Sequence, residues 1–185
     1  MKEIKKREKS PGSEGEKKNE KKKSRLLPVL AGIIFAAAVT VLIVIMYINS
    51  GYKRLHGSFG YSLEYNSRKY EFKTSKQSLD VFQIKDLASA KTDCYVYVGT
   101  YDPEQNLQET LDIINSETGT NYSFMQTKVG EMDYPAIFVD YKTEKGGNFY
   151  IYYIEWQGHH FIIQTLADDE HQEEIDRMVK SFRIG

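Results

Sequence analysis

The sequence predicts an α+β domain, an antiparallel sheet flanked by helices in an α/β/α sandwich, preceded by one transmembrane helix. Three observations lead to this prediction. A run of 23 residues carries no charged or amide side chain, several later segments alternate with a period of two, and two helices are marked by capping residues. The predicted parts are a disordered tail (1–25), a transmembrane helix (26–48), a stalk (49–58) and a C-terminal domain (59–185).

The apolar run 26–48 has the length of a membrane span. As a helix it would be about 35 Å long, enough to cross a hydrocarbon core of about 30 Å. A cleaved signal peptide fits poorly, because its apolar core is shorter and ends at a small-x-small site, whereas Asn49–Tyr52 follows here. A lipid anchor needs a cysteine directly after the run, and the sole cysteine is Cys94. We therefore expect an uncleaved signal anchor.

Charge predicts the orientation of this span. Residues 1–25 contain eleven basic and five acidic side chains, a net charge of +6, whereas only Lys53 and Arg54 are basic just beyond the span. This bias places the N-terminus in the cytoplasm and the C-terminal domain outside. The tail is too polar to fold, and its last basic residues are expected at the lipid surface rather than on nucleic acid: Lys21, Lys22, Lys23 and Arg25.

The span itself contains one small-xxx-small pair, Gly32 and Ala36. Such a pair lets two membrane helices approach closely, which would permit a weak homodimer. Alanine-rich spans also contain such pairs by chance. We expect membrane lipid to surround this segment, and we keep a weak homodimer through Gly32 and Ala36 as an alternative.

The rest of the chain, 26–185, holds 14 basic and 21 acidic side chains. A net charge of −7 argues against nucleic acid or anionic lipid as the main partner of the domain. Roughly 130 residues suffice for one domain with one core, and a single cysteine leaves no internal disulfide.

Segments with the apolar and aromatic pattern of β-strands follow from residue 59. In four of them, the residues that point to either face of the strand are apolar or aromatic. This pattern predicts central strands that are covered on both faces. Trp156-Gln157-Gly158-His159 predicts a tight antiparallel hairpin, and 145–148 the preceding turn. The predicted strands are 59–65, 70–72, 81–84, 93–99, 136–141, 149–156 and 161–166.

Two helices are predicted. The first has Asp102 as N-cap, Pro103 at its first position, Leu107, Leu111 and Ile114 on one face, and Gly119 at its end. The second begins near Asp168 or Asp169, carries acidic residues in its first turns, and buries Ile175, Met178, Val179 and Phe182.

The order of these segments resembles the PsbP-like superfamily. Segment 59–66, FGYSLEYN, is similar to its opening strand, although Asn66 stands where a proline is frequent. The helix at 102–119, the meander of 134–141 and 149–156, and the closing 178–184 are also similar. The family includes the photosystem II extrinsic protein, a Ran-binding import factor and bacterial DcrB-type envelope lipoproteins. The resemblance implies a non-enzymatic binding or assembly module.

Candidate metal ligands are few. His159, His160 and the acidic stretch before His171 form one cluster in the sequence, but neighbouring residues on a strand point to opposite faces, so we expect no metal site there. Cys94 lies in a predicted strand and is expected to be a buried apolar residue. No P-loop, dinucleotide-binding or paired-cysteine motif is present, so no cofactor is expected.

Aromatic residues are the more informative signal. Tyr150, Tyr152, Tyr153 and Trp156 lie on one predicted strand and could line a groove for a glycan, a peptide or a protein, although strand-forming tyrosines also fill sheet–helix interfaces. We expect a membrane-anchored, non-enzymatic binding or assembly module of the bacterial cell envelope, with an envelope protein or glycan as partner. A cell-wall hydrolase or transferase, which requires convergent carboxylates or a metal site, and an envelope sensor with a cytoplasmic partner are the alternatives.

Overall fold

The computed structural model describes residues 16–74, 79–86, 88 and 90–185, with side chains from residue 28 onward. The chain divides into two units at Asn49 and Ser50. The helices are α1 (Glu16–Ser50), α2 (Leu107–Thr118) and α3 (Gln172–Lys180). The strands are β1 (Tyr52–His56), β2 (Tyr61–Asn66), β3 (Tyr70–Thr74), β4 (Leu79–Ile84), β5 (Tyr95–Thr100), β6 (Met125–Val129), β7 (Tyr134–Lys142), β8 (Asn148–Trp156), β9 (His159–Ala167) and β10 (Arg183–Ile184).

Helix α1 contains a stretch, Pro28–Ser50, that is long and apolar enough to span a membrane, with a mean hydropathy of 3.0. A signal sequence near an N-terminus can also be apolar enough to meet this criterion. The hydroxyl of Thr40 donates to the Ala36 carbonyl at 2.9 Å, so this polar group is satisfied within the helix. A Cβ added at Gly32 would meet no atom within 4 Å, and the predicted homodimer through Gly32 and Ala36 remains a prediction.

The predicted disorder of residues 1–25 is wrong for 16–25, whose backbone belongs to α1. Lysine and glutamate, which dominate 16–23, are good helix formers, so the apolar helix extends backwards instead of starting at residue 26. The part of this prediction that concerns residues 1–15 lies outside the described residues.

The second unit is an α+β fold with two fully antiparallel sheets, which confirms the predicted class. The larger sheet has the strand order β3-β4-β5-β9-β8-β7-β6, and the smaller has the order β1-β2-β10. One face of the larger sheet packs against α3 and the smaller sheet, and the other packs against α2. We call these the α3 face and the α2 face. The central strands are therefore covered on both sides, as their sequences predict.

The predicted stalk, 49–58, is also wrong, because five of its residues form β1. This strand pairs with β2 along its whole length, from Tyr52 opposite Asn66 to His56 opposite Ser62. The Tyr52 hydroxyl donates to Glu174 of α3 at 2.7 Å, and the Arg177 guanidinium lies 3.7 Å from the centre of the Tyr52 ring. Since β1 contains two charged residues and little alternation, its strand character depends on pairing with β2 rather than on its own pattern.

Both domain helices begin later than predicted. Asp102 caps a turn instead of a helix, because its carboxylate accepts from the Glu104 N–H at 2.9 Å and its carbonyl accepts from Gln105 N–H at 2.9 Å. Asn106 is the N-cap of α2, and Gly119, with φ of 66°, ends it as predicted. Asp168 likewise closes a turn before α3 by accepting from the His171 N–H at 3.0 Å.

The predicted hairpin between β8 and β9 is confirmed. Its two loop residues, Gln157 and Gly158, have φ angles of 51° and 81°, which is the left-handed pair that a type I′ turn requires. This turn aligns Trp156 with His159 and Glu155 with His160. The register along β8 then decides which of its aromatic residues share a face.

Candidate functional site

Tyr150 and Tyr152, two of the four predicted ligand-binding residues, lie together on the α3 face. Residue Phe138 of β7 is directly opposite Tyr152 of β8, and their rings are stacked with centroids 5.6 Å apart. Tyr150, two residues before Tyr152 on the same strand, stacks on it at 6.2 Å. The ring planes differ by only 16° and 17°. The three partly buried rings form a row, which we call the aromatic row.

The aromatic row forms the floor of a groove of about 550 Å³, which we call the aromatic groove. Helix α3 forms one wall through Asp176, Val179 and Lys180. Strand β6 and the turn after it form the other wall, with the lining residues Thr127, Lys128, Val129, Gly130 and Asp133. An open, half-apolar groove with a few polar groups at its rim is the usual form of a small-ligand site.

The carboxylates near the aromatic row influence its phenols. Burial raises the pKa of Tyr150 and of Tyr152, and the negative charges of Asp176 and Asp140 raise both further. Both hydroxyls are therefore protonated at neutral pH and can donate hydrogen bonds. Asp176 is oriented by Gln172, whose side-chain amide donates to it at 2.7 Å. The groove thus combines flat aromatic faces with hydrogen-bond donors and acceptors.

Tyr153 and Trp156 do not join this site, so the four predicted residues do not line one groove. Because side chains alternate along β8, Tyr153 lies on the α2 face, where it packs edge-on against Tyr101 at 5.3 Å and Phe124 at 6.0 Å. Trp156, 37% exposed, packs against Tyr134 at 5.5 Å near the end of the strand. Tyr153 and Trp156 instead line a second cavity of about 600 Å³.

His159 and His160 point to opposite faces of β9, as strand alternation predicts. His159 stacks on Phe161 at 6.2 Å, and His160 packs edge-on against Tyr101 at 5.5 Å. Strand register also separates two carboxylates on neighbouring strands: Asp140 lies opposite Tyr150, whereas Glu155 lies opposite His160 and on the other face. Neither pair of residues forms a common site.

His171 is the N-cap residue of α3, and only 12% of its side chain is exposed. Its Nδ1 lies 2.6 Å from Oδ1 of Asp168, and the two residues share a cluster with Cys94. The sequence does not reveal this cluster, because Cys94 is more than seventy residues away from the other two.

The predicted membrane-surface residues Lys21, Lys22, Lys23 and Arg25 lie in α1, and their side chains are outside the described part of the chain. Their role at the lipid surface stays a prediction.

No family model matches the chain, and no curated protein does either. Among the solved structures that match is the solution structure of cyanobacterial PsbP (CyanoP) from Synechocystis sp. PCC 6803. The match covers 74% of this chain and 94% of that chain, with 10% sequence identity and a TM-score of 0.49.

Proposed function

We propose that this chain is a single-pass membrane protein whose C-terminal unit is a non-enzymatic binding module on the outer side of a bacterial cytoplasmic membrane. The apolar stretch Pro28–Ser50 supports the anchor, and the +6 charge of residues 1–25 supports the orientation. The ligand of this module is a glycan of the cell envelope, and it binds in the aromatic groove.

The observation that carries this proposal is the aromatic row. Sugar rings present C–H groups that pack against aromatic side chains, and three neighbouring aromatic rings line the floor of the aromatic groove. The Tyr150 and Tyr152 hydroxyls can donate to sugar oxygens, while Asp176 can accept from sugar hydroxyls.

The test is binding of soluble peptidoglycan fragments to the full-length protein in detergent micelles, measured by isothermal titration calorimetry. Tyr152→Ala should lower the affinity by about tenfold, because it removes the middle ring of the row. Tyr97→Ala is the matched control, since Tyr97 also stacks on a neighbouring tyrosine, Tyr95, at 4.1 Å but does not line the groove. Equal losses in the two variants, or none in Tyr152→Ala, would contradict the proposal.

A cell-wall hydrolase is the second candidate, and one observation favours it. Asp140 and Asp176 both act electrostatically on Tyr150 and Tyr152, and Asp176 lines the aromatic groove. Glycosidases use two carboxylates at their scissile bond. The discriminating measurement is release of reducing ends from purified cell walls by the full-length protein. The binding module releases none, whereas release that Asp176→Asn or Asp140→Asn abolishes would establish the hydrolase.

A further inference from the structure

Three potential metal ligands meet where β5, β9 and α3 come together. Strands β5 and β9 are antiparallel neighbours, with Tyr95 opposite Leu166. The residue before β5 and the residue after β9 therefore lie side by side at the same end of the two strands. These residues are Cys94 and Asp168. The turn after β9 returns His171 to the same place, at the start of α3.

The three side chains converge closely. Cys94 Sγ, a carboxylate oxygen of Asp168 and a ring nitrogen of His171 all lie within 4.8 Å of one another. Cys94 is fully buried, and Asp168 is 3% exposed. Thiolate, imidazole and carboxylate are the ligand types that zinc prefers in proteins.

Burial raises the pKa of the Cys94 thiol, although the backbone N–H of Asp168 donates a hydrogen bond to Sγ that favours the thiolate. A bound cation would offset the cost of burying that thiolate. Asp168 is itself oriented by the Lys91 N–H, which donates to Oδ2 at 2.8 Å. Both groups are therefore held in place by backbone donors rather than by flexible side chains.

A buried phenol in the same core as Cys94 has no hydrogen-bond partner among the described residues. Tyr70, only 1% exposed, interacts electrostatically first with Cys94 and then with Glu174 and Asp168. Among the residues that the structure describes, none forms a hydrogen bond with its hydroxyl. An unsatisfied buried hydroxyl costs about 1–3 kcal/mol, so such groups usually face water, an ion or a ligand.

Capping of α3 does not by itself explain why Cys94 and Tyr70 are buried beside Asp168 and His171. The hydrogen bonds among Asp168, Lys91 and His171 account for the start of α3. The Cys94 thiol donates only a long hydrogen bond to the Thr92 carbonyl, at 3.5 Å, and the Tyr70 hydroxyl has no partner in the described part of the chain. A bound ion with a water ligand accounts for both.

We propose that Cys94, Asp168 and His171 bind a divalent transition-metal ion of the zinc class, with a water in the fourth position hydrogen-bonded to the Tyr70 hydroxyl. The thiol proton leaves when the metal binds. Two ligands of a tetrahedral zinc ion are about 3.3 Å apart, so the 2.6 Å separation of His171 and Asp168 opens by about 0.7 Å. The ion joins β5, β9 and α3 in a buried position. The site does not depend on the aromatic groove.

The test uses the full-length protein in detergent micelles, stripped with chelator and titrated with Co²⁺, then with Zn²⁺. One equivalent of Co²⁺ should produce a thiolate-to-cobalt charge-transfer band, which Zn²⁺ removes. Cys94→Ser should abolish the band, and His171→Gln should weaken Co²⁺ binding by at least about tenfold. His159→Gln is the control, because this histidine packs on Phe161 outside the cluster. Its titration should match the wild type.

Two further measurements need only the wild type, so they test the proposal even if a variant fails to fold. X-ray absorption of the zinc-loaded wild type should show one sulfur ligand at about 2.3 Å. Zinc should also raise the melting temperature of the wild type by about 5 °C or more at saturation. Absence of the charge-transfer band in the wild type, a zinc shell without sulfur, or equal binding by wild type and His171→Gln would overturn the proposal.

Discussion

At the scale of single residues, Asp80 is the clearest case of a side chain whose role only the fold reveals. It is a carboxylate with 0% exposure in the middle of a strand pattern, and its three donors are neutral. The Ser58 N–H and hydroxyl donate at 2.7 and 3.0 Å, and the Tyr61 hydroxyl donates at 2.9 Å. Asp80 thereby attaches the loop before β2 to β4 of the larger sheet.

Asp80→Ala should destabilise the protein by about 3–5 kcal/mol, because it removes three hydrogen bonds to a buried carboxylate and leaves the buried Tyr61 hydroxyl without an acceptor. Asp80→Asn should cost less, about 1–2 kcal/mol, since its amide oxygen can still accept from Tyr61 and Ser58. Urea unfolding of the full-length protein in detergent, followed by tyrosine and tryptophan fluorescence, measures both values.

The control for this pair is Asp112→Ala on the exposed side of α2, which should change stability by less than about 0.5 kcal/mol. An equal effect of Asp80→Ala and Asp112→Ala would show that the buried hydrogen bonds of Asp80 contribute nothing.

At the scale of elements, Glu131 connects three parts of the chain that are distant in sequence. It lies in the turn between β6 and β7 and forms ion pairs with Arg54 of β1 and Arg183 of β10. The backbone contributes at the same point, because the Glu131 N–H donates to the Phe182 carbonyl at 3.0 Å. Gly130 permits this approach, since a Cβ there would lie 2.4 Å from that carbonyl oxygen.

These ion pairs predict how stability depends on pH. Partial burial opposes ionisation of Glu131, but Arg54 and Arg183 outweigh it and lower the pKa of the carboxyl group. Since the pKa is lower in the folded state, the ion pairs stabilise the protein above the ordinary pKa of glutamate, and this contribution is lost as the pH falls through the folded value. Glu131→Gln should therefore lose less stability between pH 7 and about pH 3 than the wild type does.

This prediction is tested by the midpoint of urea unfolding, measured at pH 7 and at about pH 3. Glu144→Gln, which replaces an exposed glutamate in the turn between β7 and β8, is the control and should behave like the wild type. The lowered pKa values of Asp168 and Glu174 maintain part of the acid sensitivity in every variant. A Glu131→Gln profile parallel to that of the wild type would contradict the prediction.

At the scale of the whole molecule, charge is distributed unevenly along the chain. Residues 1–25 carry +6, and residues 26–185 carry −7, although the full chain is close to neutral at −1. The apolar helix begins near the boundary between these parts. An anchored protein with a cytoplasmic N-terminus requires this order, because basic residues stay on the cytoplasmic side.

One added cysteine on each side of the apolar helix tests the orientation of the chain in the membrane. Lys145→Cys should react with a membrane-impermeant maleimide in cells whose cytoplasmic membrane is intact, and Ser10→Cys should react only after lysis. The wild type, whose single cysteine is buried Cys94, is the unlabelled control. Labelling of Ser10→Cys in intact cells would reverse the topology, and a mature chain that lacks residue 10 would identify a cleaved signal sequence.

Much of the candidate site was beyond prediction from the sequence. Tyr150 and Tyr152 could be found as aromatic residues two apart on a strand, and they do share a face. Their partner Phe138 depends on the register of β7 against β8, which no local pattern specifies. The meeting of Cys94 with Asp168 and His171 depends on β5 pairing with β9 across about seventy residues.

The sequence by itself determined the features that arise within a few neighbouring residues: the apolar helix, the period-two strands, the Gln157-Gly158 turn and the Gly119 helix end. Local sterics, hydrogen bonding and hydropathy act over that range, so their signals are visible in the residues themselves. Only the tertiary structure decided that 52–56 is a strand, that Phe138 lies opposite Tyr152, and that Glu131 joins β1 to β10. Each of these depends on strand pairing and packing between distant segments, which contribute free energy only once the whole domain has formed.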